Sequence, residues 1–259
     1  MIKAHLLGTA SGVLTEKYPK AGSTALEVDG RVYLFDCGES CSVSLLENGL
    51  NYNKITTIFI SHMHPDHTSG VFQLVQQMVL LSKRKDKLVF CLPEEAVSTT
   101  KKFLEANYYI KEALSFPLLF RPIKRGFLYR DKIAKITAIP NRHLHMKYIL
   151  SASDRYPAIK MQSFSFLVEV KGKKMVYSGD IRAISDLNPF LEANTVDLLV
   201  LELSHLSMQD VDSVCRQRVR KIALTHIHHE TDRAKLADFC RREFEGRVIV
   251  AGDGLKIEI

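Results

Sequence analysis

The chain has 259 residues, 46% hydrophobic and 25% charged, with a formal net charge of +7 and five cysteines. That length and apolar content suffice for a sizeable core in one α/β domain, expected to span residues 1–259, and the odd, scattered Cys37, Cys41, Cys91, Cys215 and Cys240 read as reduced thiols, not as a disulfide framework. No run approaches the ~20 apolar residues of a membrane span, and the segment Met1 to Gly8 reads as a strand, not a signal peptide, so a cytoplasmic location without membrane contact is expected.

In chain order, strands are predicted at Lys3 to Leu7, Thr24 to Val28 and Arg31 to Phe35, the last two joined by Asp29-Gly30, a dipeptide that takes positive φ at low cost. A helix from Ser40 to Glu47 precedes the apolar strand Ile55 to Ile60. Val71, Leu74, Val75, Met78, Val79 and Leu81 lay an apolar stripe on a helix from Gly70 to Leu81. A strand at Leu88 to Leu92, a helix from Glu94 to Ala106 and strands near 117–122 and 133–139 complete the first half. The second half is similar, with strands at 164–170, 174–178, 197–202, 220–225 and 247–251 and helices near 208–218 and 231–243. Patterning of this kind supports a layered α/β fold.

The densest chemistry is Ser61-His62-Met63-His64-Pro65-Asp66-His67, which leaves the strand Ile55 to Ile60. Imidazole and carboxylate donors so crowded suit zinc or another first-row metal, and can supply two adjacent ions. The same grammar, an apolar strand with a histidine or aspartate at its exit, returns at His143, at Asp180 and at His226. Loops at strand ends are where a sheet scaffold carries its reactive groups. Spacing alone leaves His145 open beside His143, and His228 and His229 beside His226; the first of each group is preferred. His5 reads as structural, and Cys37-x-x-x-Cys41 as packing at a helix start more than as half of a metal site.

The series His62-x-His64-x-Asp66-His67, His143, Asp180, His226 resembles the metallo-β-lactamase superfamily of metallohydrolases. That resemblance implies a four-layer αββα sandwich and a dinuclear centre: His62, His64 and His143 on one ion, Asp66, His67 and His226 on the other, Asp180 between them. The ions would be zinc by ligand type, though manganese or iron tolerates the same cage. Leu7-Gly8-Thr9-Ala10-Ser11-Gly12 followed by Ser23-Thr24-Ala25 resembles the opening of the ribonuclease Z branch. Asp197 to Ser204 resembles that branch's strand with an acidic residue, here Glu202, and His205 stands close to the position of its proton-donating histidine. By resemblance the catalytic residues are Asp66, which steers the nucleophile, and His205, held by Glu202, which protonates the leaving group.

One departure redirects the function. Members of that branch that process tRNA carry a long Gly/Pro-rich arm between the third histidine motif and the aspartate motif, whereas here Asp180 follows His143 by only 37 positions. A loop from Leu144 to Gln162 and a hairpin turning at Lys171-Gly172-Lys173 fill that interval. The expectation is a phosphodiesterase that cleaves a small cyclic nucleotide-like molecule or an RNA end. The alternatives are an armless tRNA 3′-processing endoribonuclease and a thioesterase or lactonase on the same cage. A homodimer is expected from the branch, and the loop 144–162, with Tyr148, Arg155, Tyr156 and Pro157, reads equally as a lid or as cover for a sheet edge. Four basic clusters, Lys83-Arg84-Lys85-x-Lys87, Arg121-x-x-Lys124-Arg125, Lys171-x-Lys173-Lys174 and Arg216-x-Arg218-x-Arg220-Lys221, are candidate contacts for nucleic acid or another polyanion, against the plainer reading of solvated surface charge.

Overall fold

The structure, a computed structural model, describes every residue except Pro19, Ser82, Lys83, Lys147, Tyr148, Ile149 and Ala152, together with the side chain of Ser153. Lys83 of the first basic cluster and Tyr148 of the 144–162 loop therefore lie outside the described residues. Contacts divide the chain into two compact units, Met1–Ile123 with Gly252–Glu258, and Lys124–Ala251 with Ile259.

The first unit is built on a seven-stranded sheet in the order β14-β1-β2-β3-β4-β5-β6. Its strands are β1 (Ile2–Gly8), β2 (Ser23–Val28), β3 (Arg31–Phe35), β4 (Ile55–Phe59), β5 (Leu88–Pro93), β6 (Leu118–Ile123) and β14 (Leu255–Glu258). Antiparallel pairing runs from β14 to β3 and parallel pairing from β3 to β6. Asp29 and Gly30 take φ of 49° and 75°, the left-handed pair that a tight hairpin requires. Around this sheet lie α1 (Cys41–Glu47), the short α2 (Pro65–Thr68), α3 (Gly70–Leu81) and α4 (Val97–Ala106). Val71, Leu74, Val75 and Met78 of α3 pack with Leu34, Ile58 and Phe90 of the sheet, so the apolar stripe read at helical spacing is the buried face. Strands β3 and β4 are buried on both faces, the state in which a parallel strand reads as a continuous apolar run.

The second unit has its own seven-stranded sheet, ordered β13-β12-β11-β10-β9-β8-β7. It comprises β7 (Leu128–Arg130), β8 (Ala134–Pro140), β9 (Phe164–Val170), β10 (Lys173–Tyr177), β11 (Val196–Glu202), β12 (Val219–Thr225) and β13 (Val248–Val250). Pairing is antiparallel from β7 to β10 and parallel from β10 to β13. The helices α5 (Asn188–Leu191), α6 (Met208–Cys215) and α7 (Arg233–Glu243) complete the unit. Phe190, Leu191, Val211, Val214 and Cys240 pack with Val176, Leu199, Leu201 and Ile222 in its core. Asp232 caps α7 by accepting from the N–H groups of Ala234 and Lys235, both at 3.1 Å.

The differences from expectation are local. The helix expected over 208–218 stops at Cys215, because Val219 already pairs with Val196 of β11. The helix expected from Glu94 opens with a 3-10 turn, Glu94–Ala96, before α4. Strands β7 and β14 have no counterpart in the sequence pattern, being too short for a period to show and fixed only by their neighbours. Within the 144–162 loop the described residues include a 3-10 turn at Ser153–Arg155. Among the described residues no helix is long and apolar enough to cross a membrane.

Candidate metal centre

Strand direction explains why the donors recur at strand exits. In the first unit β1, β3 and β4 point the same way, so Thr9, Asp36 and Ser61 all emerge at one edge of the sheet. In the second, β8 is antiparallel to β9 and β9 to β10, so β8 shares the direction of β10, β11 and β12. His143, Asp180, Glu202 with His205, and His226 therefore leave four co-directional strands at one edge. Carboxyl ends of parallel strands are the usual place for a site in an open α/β sheet.

In the first unit His62 and His67 are buried, while His64 and Asp66 are partly exposed. His62 Nε2 lies 2.9 Å from His64 Nδ1, and the His62 and His67 rings stand 4.2 Å apart. His67 Nε2 is 3.4 Å from Asp66 Oδ2. The other ring nitrogens are held from behind by a residue that sequence reasoning missed. Asp36 is wholly buried, and its carboxylate accepts from the Ser61 N–H (2.6 Å), the Ser61 hydroxyl (2.7 Å) and His67 Nδ1 (2.7 Å). Ser61 Oγ in turn lies 3.0 Å from His62 Nδ1. With its proton given to Asp36, Ser61 accepts from His62, so both rings carry their protons on Nδ1 and present Nε2 lone pairs forward. Carboxylates behind metal-binding histidines act in this way. The available signal was Asp36's position one residue past β3, the same grammar that marked the other donors. The backbone allows the close approach because Gly38 and Gly70 lack Cβ atoms: one on Gly70 would stand 2.1 Å from the Gly38 carbonyl oxygen.

In the second unit His143, Asp180, Glu202 and His226 are buried. Asp180 Oδ2 lies 3.7 Å from His143 Nε2 and 3.5 Å from His226 Nε2. His226 holds φ of 49°, a left-handed conformation uncommon for a non-glycine residue and concentrated at functional sites. Glu202 reaches the Ile181 N–H (3.3 Å), the His205 N–H (3.1 Å) and His205 Nδ1 (3.1 Å), and lies 3.9 Å from His226 Nδ1. The His205 side chain is 38% exposed, with its ring edge-on to His143 at 4.8 Å. Donor atoms of Asp180, His205 and His226 lie within 4.8 Å of one another, so His205 is available to a cation as well as to a proton. A relay missed in the sequence braces the loops: the His143 N–H donates to Asn141 Oδ1 (3.1 Å), Asn141 Nδ2 to Ser165 Oγ (3.1 Å), and Ser165 Oγ to the Ser178 carbonyl (2.5 Å). His145 is exposed, its carbonyl accepting from Arg182; His228 is also exposed, and His229 is intermediate. His5 is buried on β1 against Glu27 at 3.2 Å; burial lowers its pKa despite that carboxylate. Burial, the Cys41 hydrogen bond and nearby Asp36 push the Cys37 thiol well up.

The donor chemistry fits divalent ions. Hydrogen-bonded N and O atoms settle at about 2.7–3.2 Å, yet three buried or half-buried donor pairs stand at 3.4, 3.5 and 3.7 Å. Neighbouring ligands of a tetrahedral ion with bonds of about 2.0–2.2 Å lie ~3.4 Å apart. The His62–His64 pair, at 2.9 Å, is about 0.5 Å inside that edge.

Comparison with known proteins agrees with this architecture. The chain is 25% identical to the ribonuclease Z of Nitrosopumilus maritimus over 306 aligned positions that cover both proteins completely, and 24% identical to that of Archaeoglobus fulgidus, covering all of this chain and 98% of the relative. Human tRNase Z, short form, superposes with a TM-score of 0.75 at 21% identity, covering 100% of this chain and 99% of its own. YhfI of Bacillus subtilis, a metallo-β-lactamase fold protein, gives 0.77 at 15% identity, covering 99% and 98%. The fold is thus that of the metallo-β-lactamases, and the expected relation to ribonuclease Z holds over the full length. Residues 2–242 match the family described as "Anti-Pycsar protein Apyc1", and the chain belongs to that family of metallo-β-lactamase-fold hydrolases.

Proposed function

We propose that the chain is a dinuclear metal-dependent phosphodiesterase acting on a small cyclic nucleotide. The observation that carries the reading is Asp180, a buried carboxylate flanked by His143 and His226 at ligand–ligand distances too long for hydrogen bonds. His62, His64 and His143 would hold one ion, Asp66, His67 and His226 the other, with Asp180 shared; zinc is the metal that the donors favour. When bound, two such ions supply activation of water and neutralisation of phosphodiester charge. The chain's own residues supply orientation and proton transfer. Asp36 and Ser61 fix the tautomers of His67 and His62, and Asp66 steers the attacking water. Glu202 accepts from His205 Nδ1 and so directs Nε2–H outward, where an imidazolium can protonate the departing alkoxide while the buried carboxylate stabilises its charge.

Membership of the Apyc1 family favours a cyclic nucleotide over an RNA end. The 306-position alignment with a ribonuclease Z exceeds the chain's 259 residues, so that relative carries segments absent here, in keeping with the missing arm. Armless tRNA 3′ processing is kept as a second reading because the full-length relatives are ribonuclease Z proteins. The test is turnover of 3′,5′-cyclic nucleotides, bis-p-nitrophenyl phosphate, precursor tRNA, a thioester and a lactone by metal-quantified protein, alongside Asp180→Ala and His205→Ala. Cyclic nucleotide hydrolysis lost in both variants is expected; cleavage of precursor tRNA alone would install the second reading, and turnover of thioesters or lactones alone would replace both.

A further inference from the structure

Two basic clusters far apart in sequence, Lys171-x-Lys173-Lys174 and Arg216-x-Arg218-x-Arg220-Lys221, meet at the end of the second sheet opposite to its donor cluster. The cause is topological. Strands β10, β11 and β12 are parallel neighbours that begin at Lys173, Val196 and Val219, so their amino ends share one edge while Asp180, Glu202 and His226 follow their carboxyl ends. A strand of seven residues sets the two edges roughly 20 Å apart.

A concavity of about 440 Å³ opens at the amino edge, and its walls include Lys173, Lys174, Asn194, Arg218 and Arg220 around Asp197. Asp197 organises it: its carboxylate accepts from the Lys174 N–H at 3.0 Å and pairs with Lys173 Nζ at 3.2 Å and Arg220 at 3.5 Å. Partial burial raises the pKa of this carboxyl, but the Lys174 N–H, Lys173 and Arg220 outweigh it and hold the group below the ordinary range. Lys174 Nζ is aimed by Asn194 Oδ1 at 2.5 Å. Four cationic side chains thus line one concavity, two of them paired with its carboxylate, and their mutual repulsion is relieved by an anion. Plain surface charge would extend separately into water, whereas two of these side chains are held by Asp197 and one by Asn194.

The volume lies at the small-ligand end of binding pockets. No aromatic side chain lines it, which removes the stacking platform that single-stranded nucleic acid uses. We infer that this edge is a binding site for a small polyphosphate anion, pyrophosphate or the phosphate chain of a nucleotide, separate from the candidate metal centre. The site follows from this edge alone and stands whether or not the proposed phosphodiesterase activity does.

The experiment is calorimetric titration of inorganic pyrophosphate into the wild-type chain, into Arg218→Ala/Arg220→Ala and into Asp180→Ala. The expected result is one site per chain that weakens about tenfold or more in the double arginine variant and as salt rises, since charge-assisted contacts are lost, and that survives in Asp180→Ala. Both arginines are exposed, so the double variant should keep the wild-type thermal midpoint and turnover. Equal binding in wild type and double variant, loss in Asp180→Ala alone, or an oligonucleotide that displaces pyrophosphate and binds more tightly would each overturn the assignment.

Discussion

Replacing Asp36 by Asn should disarm the first donor cluster without touching a donor. Asn keeps the volume, and it tolerates the φ of 56° that Asp36 holds, so the backbone has no reason to move. The amide can still accept from the Ser61 N–H at 2.6 Å, which forces its NH2 toward Ser61 Oγ and His67 Nδ1. His67 must then accept at Nδ1 and carry its proton on Nε2. Ser61, now receiving a hydrogen bond from the amide, donates to His62 Nδ1, and the second ring is turned over in the same way. One buried charge-assisted network becomes neutral, a loss of about 1–3 kcal/mol from the stability of the metal-free chain. Removal of such a supporting carboxylate weakens metal binding by about 10–100-fold, equivalent to about 1.4–2.7 kcal/mol. Zinc competition against a chelator reads the affinity, denaturant unfolding of the metal-free protein reads the stability, and ring-nitrogen chemical shifts read the tautomers. Affinity within twofold of wild type with His62 and His67 still protonated at Nδ1 would refute the relay. Asp36→Ala should fall further, because Ala pays about 1–2 kcal/mol at positive φ and leaves the Ser61 N–H without its acceptor.

Gly70→Ala and Gly30→Ala should separate two reasons for glycine. At Gly70 a Cβ meets the Gly38 carbonyl oxygen at 2.1 Å, and the loop that carries Asp36 must shift, costing about 1–3 kcal/mol; at Gly30 nothing lies within 4 Å and only the φ of 75° is strained, costing about 1 kcal/mol. Only Gly70→Ala should also lower zinc affinity, and equal zinc affinity in the two variants would contradict the bracing role given to that contact. In alkali, buried Cys91 should destabilise the fold. Burial raises its thiol to about 12 from 9.0, so the unfolded chain releases this proton first and stability falls as pH rises from 9 toward 12, by up to about 4 kcal/mol. Urea unfolding across that range should show a slope shallower by about 1.4 kcal/mol per pH unit in Cys91→Ala; parallel slopes would remove the thiol from the account.

What the sequence disclosed and withheld follows from range. The strands β3 and β11 hold continuous apolar runs, Val32 to Phe35 and Leu198 to Leu201, and the stripe on α3 has a helical period, so both needed only local reading. His62, His64, Asp66, His67, His143, Asp180 and His226 stood out as candidate donors because each follows the exit of a strand. Asp36 stands there too, but without a histidine beside it one carboxylate among 29 acidic residues carries no mark, and only its bonds to Ser61 and His67 give it meaning. Asn141 and Ser165 are likewise ordinary until β8 and β9 pair and bring them within 3.1 Å. Strands β7 and β14 depend wholly on partners already in place.

The same dependence on pairing sorts the charge of the second unit. Along β10, β11 and β12 the middle residues are apolar and interchangeable in kind, whereas those at the two ends are not: lysines and arginines stand at the amino ends of β10 and β12 and Asp197 near that of β11, with carboxylates and histidines at or beyond the carboxyl ends. In sequence a basic run is followed by acid or histidine at β10 and again at β12, and the alternation looks like ordinary punctuation of an α/β chain. Parallel pairing converts it into two segregated edges, since β10 and β12 put their bases on the side away from the donors, where Asp197 of β11 lies between them. Had β12 run antiparallel, its arginines would stand among the candidate metal donors, where they would compete with cations for the Asp180 carboxylate. Co-directional strands are therefore a condition of the donor cluster's electrostatics as well as of its geometry, and the basic edge is the other consequence of the same arrangement.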